Sequence, residues 1–117
     1  MTRRFTGETA KRLRDAWRVR DAAALTAALH RRAVLTADGL SAETHAVRGG
    51  GAVATALLQL TAGLPEPGLE LAEANGSPAI VLRSHGTVRG VVVLEVRRHA
   101  VTRVWAVFTP SKLSTWT

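Results

Sequence analysis

Three valine-rich runs in the last third of the chain, Ala79–Arg83, Thr87–Arg97 and Val101–Thr109, limit what this sequence can fold into. Branched side chains favour the extended backbone, so each run reads as a strand. Turn signals punctuate them. Asn75-Gly76-Ser77-Pro78 precedes the first run and Ser84-His85-Gly86 separates the first from the second. Glycine there allows the positive φ that a tight hairpin needs. Strands joined this closely pair antiparallel. Helical patterns occupy much of the preceding sequence, so the expected class is α+β. The expected shape is a cone: a curved antiparallel or mixed sheet, wrapped by about three N-terminal helices and enclosing a pocket.

The N-terminal half supplies the helices. From Glu8 to Arg20, Ala10, Leu13 and Trp17 recur on one helical face, and Lys11, Arg14 and Arg18 line a neighbouring one. Asp21 is placed to cap a second helix, Ala22 to His30, with Leu25 and Leu29 inward. Ala33–Thr36 reads as a first strand stopped at Asp38-Gly39, and Glu43–Arg48 as a second. Gly49-Gly50-Gly51 breaks the chain before a third helix, Ala52 to Ala62. The prolines of Gly63-Leu64-Pro65-Glu66-Pro67-Gly68 end that helix, and Leu69–Asn75 opens the main sheet. Alternation puts Val88, Gly90, Val92, Leu94 and Val96 on the face under the helices, with Val91 and Val93 opposite. In the last strand Val101, Arg103, Trp105 and Val107 oppose Thr102, Val104, Ala106 and Phe108. A sheet apolar on both faces calls for cover on both, which points to a homodimer.

A chain of 117 residues forms one domain, residues 1–117, with a core of its own. It has no cysteine, so neither a disulfide nor a thiolate metal site is expected. No run reaches the roughly 18 apolar residues of a membrane span, and no apolar signal segment follows Met1-Thr2-Arg3-Arg4-Phe5. A cytoplasmic location is therefore expected, with no membrane association. The net charge is +7, and seven basic residues fall within the first twenty positions. That cluster reads as a solvated helix face or as a contact for an acidic partner, with Lys11, Arg14 and Arg18 the residues to test. Few aromatic residues accompany it, so direct nucleic-acid binding is not expected.

The order helix–helix–strand–strand–helix–four strands resembles the nuclear-transport-factor-2-like superfamily, and within it the SnoaL-like branch. Trp17 followed by Asp21-Ala22-Ala23-Ala24-Leu25 resembles that branch's helix junction. Leu35-Thr36-Ala37-Asp38-Gly39, Val47-Arg48-Gly49, Ala74-Asn75-Gly76-Ser77-Pro78-Ala79 and Thr109-Pro110-Ser111-Lys112-Leu113 occur in the order found in the SnoaL-like domain at the C-terminus of some extracytoplasmic-function sigma factors. Two departures stand out. Asp38-Gly39-Leu40-Ser41-Ala42 replaces that family's glycine-rich run, and Thr109 and Ser111 replace an Asn and an Asp in its closing motif. The resemblance implies a single SnoaL-like domain acting as a regulatory or small-ligand-binding module in transcription, without catalysis. The alternative it implies is an acid–base enzyme of the polyketide-cyclase or ketosteroid-isomerase type.

For that alternative, Asp38 stands where the first strand ends, at the expected mouth of the cone. A carboxylate held in an apolar cavity has its pKa raised and can act as a general base. His45 and Glu43 share a face of the next strand and could complete an acid–base group; the plain reading is a turn aspartate beside a polar edge strand. Trp17, Val91, Val93, Arg103 and Trp105 are the candidate pocket residues, and the face holding Arg103 and Trp105 serves equally as a dimer interface. His30, His45, His85 and His99 lack metal-ligand spacing. No phosphate-loop or dinucleotide fingerprint is present, so no cofactor is expected.

Overall fold

The computed structural model describes residues 2–38 and 45–108, the side chains of residues 2–6, 38 and 45 excepted. Nine elements follow in order: α1 (Thr2–Arg18), α2 (Ala22–Ala28), β1 (Leu29–Asp38), β2 (His45–Arg48), α3 (Gly50–Ala62), β3 (Pro67–Ala74), β4 (Ser77–Ser84), β5 (Thr87–Arg97) and β6 (Ala100–Val107). The strands form one curved sheet in the order β2-β1-β6-β5-β4-β3. β1 runs parallel to β6, and every other neighbouring pair is antiparallel. The class is α+β, as the sequence indicates.

α1 begins at Thr2, earlier than the Glu8 start read from the periodicity. Its apolar face is the expected one: Ala10, Leu13 and Trp17 are buried. The helix ends at Arg18, Arg20 takes φ 58° in the turn beyond it, and the chain re-enters helix at Ala22. Asp21 caps α2, its carboxylate accepting the Ala24 N–H at 3.0 Å. Asp21→Ala is therefore expected to cost about 0.5–2 kcal/mol, read as a shift in the urea midpoint at unchanged slope.

The two predicted hairpin turns form as expected, with Asn75 and Gly76 at φ 51° and 84°, and His85 and Gly86 at 51° and 77°. The third turn, between β5 and β6, takes the same shape without a glycine: Arg98 and His99 sit at φ 50° and 68°. The region is uncommon for non-glycine residues, less so for histidine than for arginine. A tertiary contact ties the turn down, because the Arg12 guanidinium on α1 donates to the His99 carbonyl at 2.7 Å.

Alternation fails at two bulges, and both change a residue's face. Pairing between β4 and β5 shifts at Leu82/Arg83, so Val88 packs with Ala79, Val81 and Val91 rather than under the helices. Pairing between β5 and β6 shifts at Glu95/Val96, so Val101 joins Val104 and Ala106 in the core instead of sharing a face with Trp105. An extra residue in one strand of a pair reverses the phase of everything beyond it.

The inner face of the sheet and the three helices share the main core, which includes Leu13, Trp17, Leu25, Leu57, Ile80, Leu82 and Leu94. A second apolar cluster lies on the outer face: Ala79, Val81, Val88 and Val91, flanked by Ala72, Ala74, Val93 and Val107.

Candidate ligand cavity

An apolar hollow opens between α3 and the β1–β2 end of the sheet. It encloses about 540 Å³ and is lined by Leu35, Ala37, Val47, Ala56, Gln59, Leu60, Leu64 and Phe108. Its walls follow from strand phase. Leu35 pairs with Val47 across β1 and β2, and paired residues share a face. Leu35 and Ala37 sit two apart on β1, so both turn toward α3. Ala56 and Leu60, one helical turn apart, answer from α3. Phe108 closes the hollow from the end of β6. A Cβ at Gly90 would stand 2.6 Å from the Phe108 ring, so the missing side chain at Gly90 is what lets that ring lie against β5. Among the described residues the lining contains a single polar side chain, Gln59, and no ionisable one.

Asp38 and His45 border this cavity in the backbone. His45 is the register partner of Ala37, and Asp38 is paired with Val107 on β6. Their side chains, and Glu43, lie outside the described residues.

Of the five candidate pocket residues, Val91, Val93, Arg103 and Trp105 share the outer face of the sheet, with Val93 the register partner of Trp105, while Trp17 lies apart from them. Trp17 is 1% exposed in the main core, and its indole N–H donates to Thr61 Oγ1 at 3.1 Å. Val91 and Val93 belong to the outer cluster. Arg103 and Trp105 stand exposed on that outer side, with the guanidinium 5.3 Å from the ring centroid. The cavity is on the opposite face. Its lining is hard to read from the sequence because Val47, the pair Leu60 and Leu64, and Phe108 come from three separate segments, each looking like ordinary core. Strand phase across Leu35 and Val47 was the usable signal.

The basic face of α1 is only partly available. Arg14 is half-buried: it pairs with Asp15 at 2.7 Å and donates to the Leu69 carbonyl at 3.4 Å. Arg18 and Lys11 remain exposed. Lys11 borders a groove of about 530 Å³ between α1 and α2 that also holds Arg12, Asp15 and Val19. Among the described residues there is no group of His, Asp and Glu side chains that could hold a metal ion, and no helix is long and apolar enough to cross a membrane.

No family model and no curated protein matches the sequence. Solved structures do match. An NTF2-like protein of unknown function from Mesorhizobium loti superposes with a TM-score of 0.69 at 19% identity, covering 92% of this chain and 93% of that one. Bal32a, from a soil-derived mobile gene cassette, gives 0.65 at 19% identity over 88% of each chain. The chain has the NTF2-like fold. The extracytoplasmic-function sigma factor SigJ of Mycobacterium tuberculosis matches with a TM-score of 0.68 at 22% identity. That match covers 94% of this chain and 44% of SigJ, so the likeness is to a part of the sigma factor. α3 packs on β1 and β2 at that edge of the curved sheet, and the hollow lies between them.

Proposed function

We propose that this NTF2-like chain is a non-catalytic domain that binds a small apolar ligand, with a regulatory role akin to that of the accessory domain of extracytoplasmic-function sigma factors. The observation that carries the reading is the cavity lining, eight residues of which Gln59 alone is polar. Apolar walls with one orienting polar group are the common makeup of small-molecule sites. Acid–base catalysis needs a titratable group within reach of the bound molecule; none of the eight described lining residues is titratable, and the side chains of Asp38 and His45 lie outside the described residues. The partial likeness to SigJ supports a role beside the transcription apparatus, in the cytoplasm. Lys11 and Arg18 on α1 are the cations left exposed for a protein partner. The apolar cluster on the outer face of the sheet supports homodimer formation there, which sedimentation equilibrium would check.

The test is a calorimetric screen of apolar ring compounds against the wild-type chain and Ala56→Phe. Phenylalanine at this half-buried position fills the cavity from α3. Ala56→Phe is expected to weaken any hit by at least tenfold while the melting temperature holds or rises. Equal affinity in both proteins would place the ligand elsewhere and remove the proposal.

One observation favours the enzymatic alternative: His45 holds the register position opposite Ala37, a wall of the cavity. Deuterium exchange beside a ketone carbonyl, lost in both Asp38→Ala and His45→Ala, would bring that reading forward.

A further inference from the structure

Two groups of arginines stand out among the described residues. One group holds the fold together. Arg12 and Arg14 bind carbonyls of the sheet side, Arg20 binds Thr61 and the Leu58 carbonyl, and Arg83 and Arg97 pair with Glu70 and Glu95. In the other, Arg31, Arg32 and Arg48 converge on one cleft of about 380 Å³, completed by Val34 and Gly49. None of these three has a carboxylate partner, and no acidic residue lines the cleft among the described residues. A fourth cation adjoins it. Val34 is paired with Arg48 on one side and with Arg103 on the other, which sets both guanidinium-bearing residues on the same face as Val34. Leu35, one residue on, faces the apolar cavity. The arginine cleft and the cavity thus lie on opposite faces of β1 and are separate sites.

Local structure holds this convergence in place. β1 departs from regular pairing between Leu29 and Val34, and within that irregular stretch the Arg32 N–H donates to His30 Nδ1 at 2.9 Å. The Gly49 N–H donates to the Ala33 carbonyl at 2.8 Å, which docks the start of α3 beside the arginines. That helix start has no capping side chain and no acidic residue in its first turn. Three like charges in one cleft repel one another unless an anion joins them. Guanidinium forks match the oxygens of phosphate in pairs, and the uncapped amides of a helix start add donors of the same kind.

We infer that the Arg31–Arg32–Arg48 cleft binds the phosphate group of a small molecule. The probe is inorganic phosphate, titrated at constant ionic strength so that general screening is held fixed. The readout is the set of ¹H–¹⁵N resonances of Gly49, Gly50 and Gly51 and of the three arginine side chains. A saturating shift at these groups is expected, and equivalent chloride should not reproduce it. Arg32→Gln and Arg48→Gln should each weaken phosphate roughly tenfold or more, the scale of a lost charge-assisted bond. Arg89→Gln, an exposed position on β5, should leave the curve unchanged. Gly51→Asp gives an independent arm, since its Cβ has open space and its carboxylate would supply the missing anion to the helix start. It should raise the melting temperature and lower phosphate affinity together. A linear, unsaturated response, or an Arg48→Gln curve equal to wild type, overturns the assignment. So does a short oligothymidylate that binds where phosphate does not, because the ligand would then be a polymer backbone held by many weak contacts.

Discussion

Trp17→Ala is expected to destabilise the fold by about 3–5 kcal/mol, the range for truncating a large core aromatic. Trp17 is among the largest fully buried side chains, and it does two jobs. Its ring fills the core beneath α1. Its indole N–H donates to Thr61 Oγ1, a hydroxyl that also accepts from Arg20 at 3.2 Å and donates to the Leu58 carbonyl at 3.4 Å. The last turn of α3 is thus gathered by two residues from the other end of the sequence. Arg20 adds a cation where the helix leaves carbonyls unpaired. Thr61→Val keeps the shape but leaves the indole N–H buried without an acceptor, and should cost about 1–3 kcal/mol. Trp17→Phe combined with Thr61→Val should cost less than the two singles summed, because neither group then lacks a partner. Urea unfolding of the four proteins gives the cycle. A loss below about 1 kcal/mol in Trp17→Ala, against the usual range, would mean the indole is not seated as described.

Two adjacent glycines should respond to alanine with opposite signs. Gly50 is helical, and alanine is ordinarily the better helix residue by about 1 kcal/mol. At this position a Cβ would stand 2.9 Å from the His30 carbonyl oxygen and 3.6 Å from Arg31 Cα. Those atoms are backbone of β1, in the irregular stretch anchored on either side by the paired Leu29 and Val34, and cannot swing aside as the end of a side chain can. Gly50→Ala is therefore expected to destabilise by about 1–3 kcal/mol, the usual cost of overpacking. At Gly51 a Cβ meets nothing within 4 Å. Gly51→Ala should stabilise by about 0.5–1 kcal/mol, mostly by narrowing the unfolded ensemble. Thermal unfolding of the pair is the check, and a stabilised Gly50→Ala would contradict the close seat of α3 on β1.

The same positions show what the sequence could and could not reveal. Local rules were sufficient where the cause was local. Asp21 caps α2, Trp17 turns inward with Ala10 and Leu13, and the Asn-Gly and His-Gly turns make their hairpins. The order of helices and strands was legible too, and with it the fold. What escaped depended on pairing between distant segments. Nothing near Val88 or Val101 announces the bulges that reverse their faces, since a register shift is a property of two strands. The Arg98-His99 turn carries no glycine and is held by Arg12, far away in sequence. The cavity escaped for a related reason. Ala37, Val47, Ala56 and Leu64 are core-like residues, and only the curvature of the assembled sheet leaves them facing a space rather than a neighbour. Charge was similarly ambiguous: Arg12 and Arg14 looked like surface and serve the fold, while Arg31, Arg32 and Arg48 were left without partners.

The placement of β1 beside the last strand has a consequence for how the molecule is made. Leu29 is matched with Val101 and Asp38 with Val107, so the sheet is joined across most of the chain's length. Until β6 leaves the ribosome the sheet is in two unjoined pieces, β1–β2 under α3 and the β3–β4–β5 meander under α1, each with an edge awaiting its neighbour. Closure over so long a loop is entropically costly and slow. Phe108 follows directly on β6 and is itself a wall of the cavity. The cavity and the continuous sheet are therefore completed in one late event, so that any ligand of that cavity can act on the finished molecule but cannot template a nascent one.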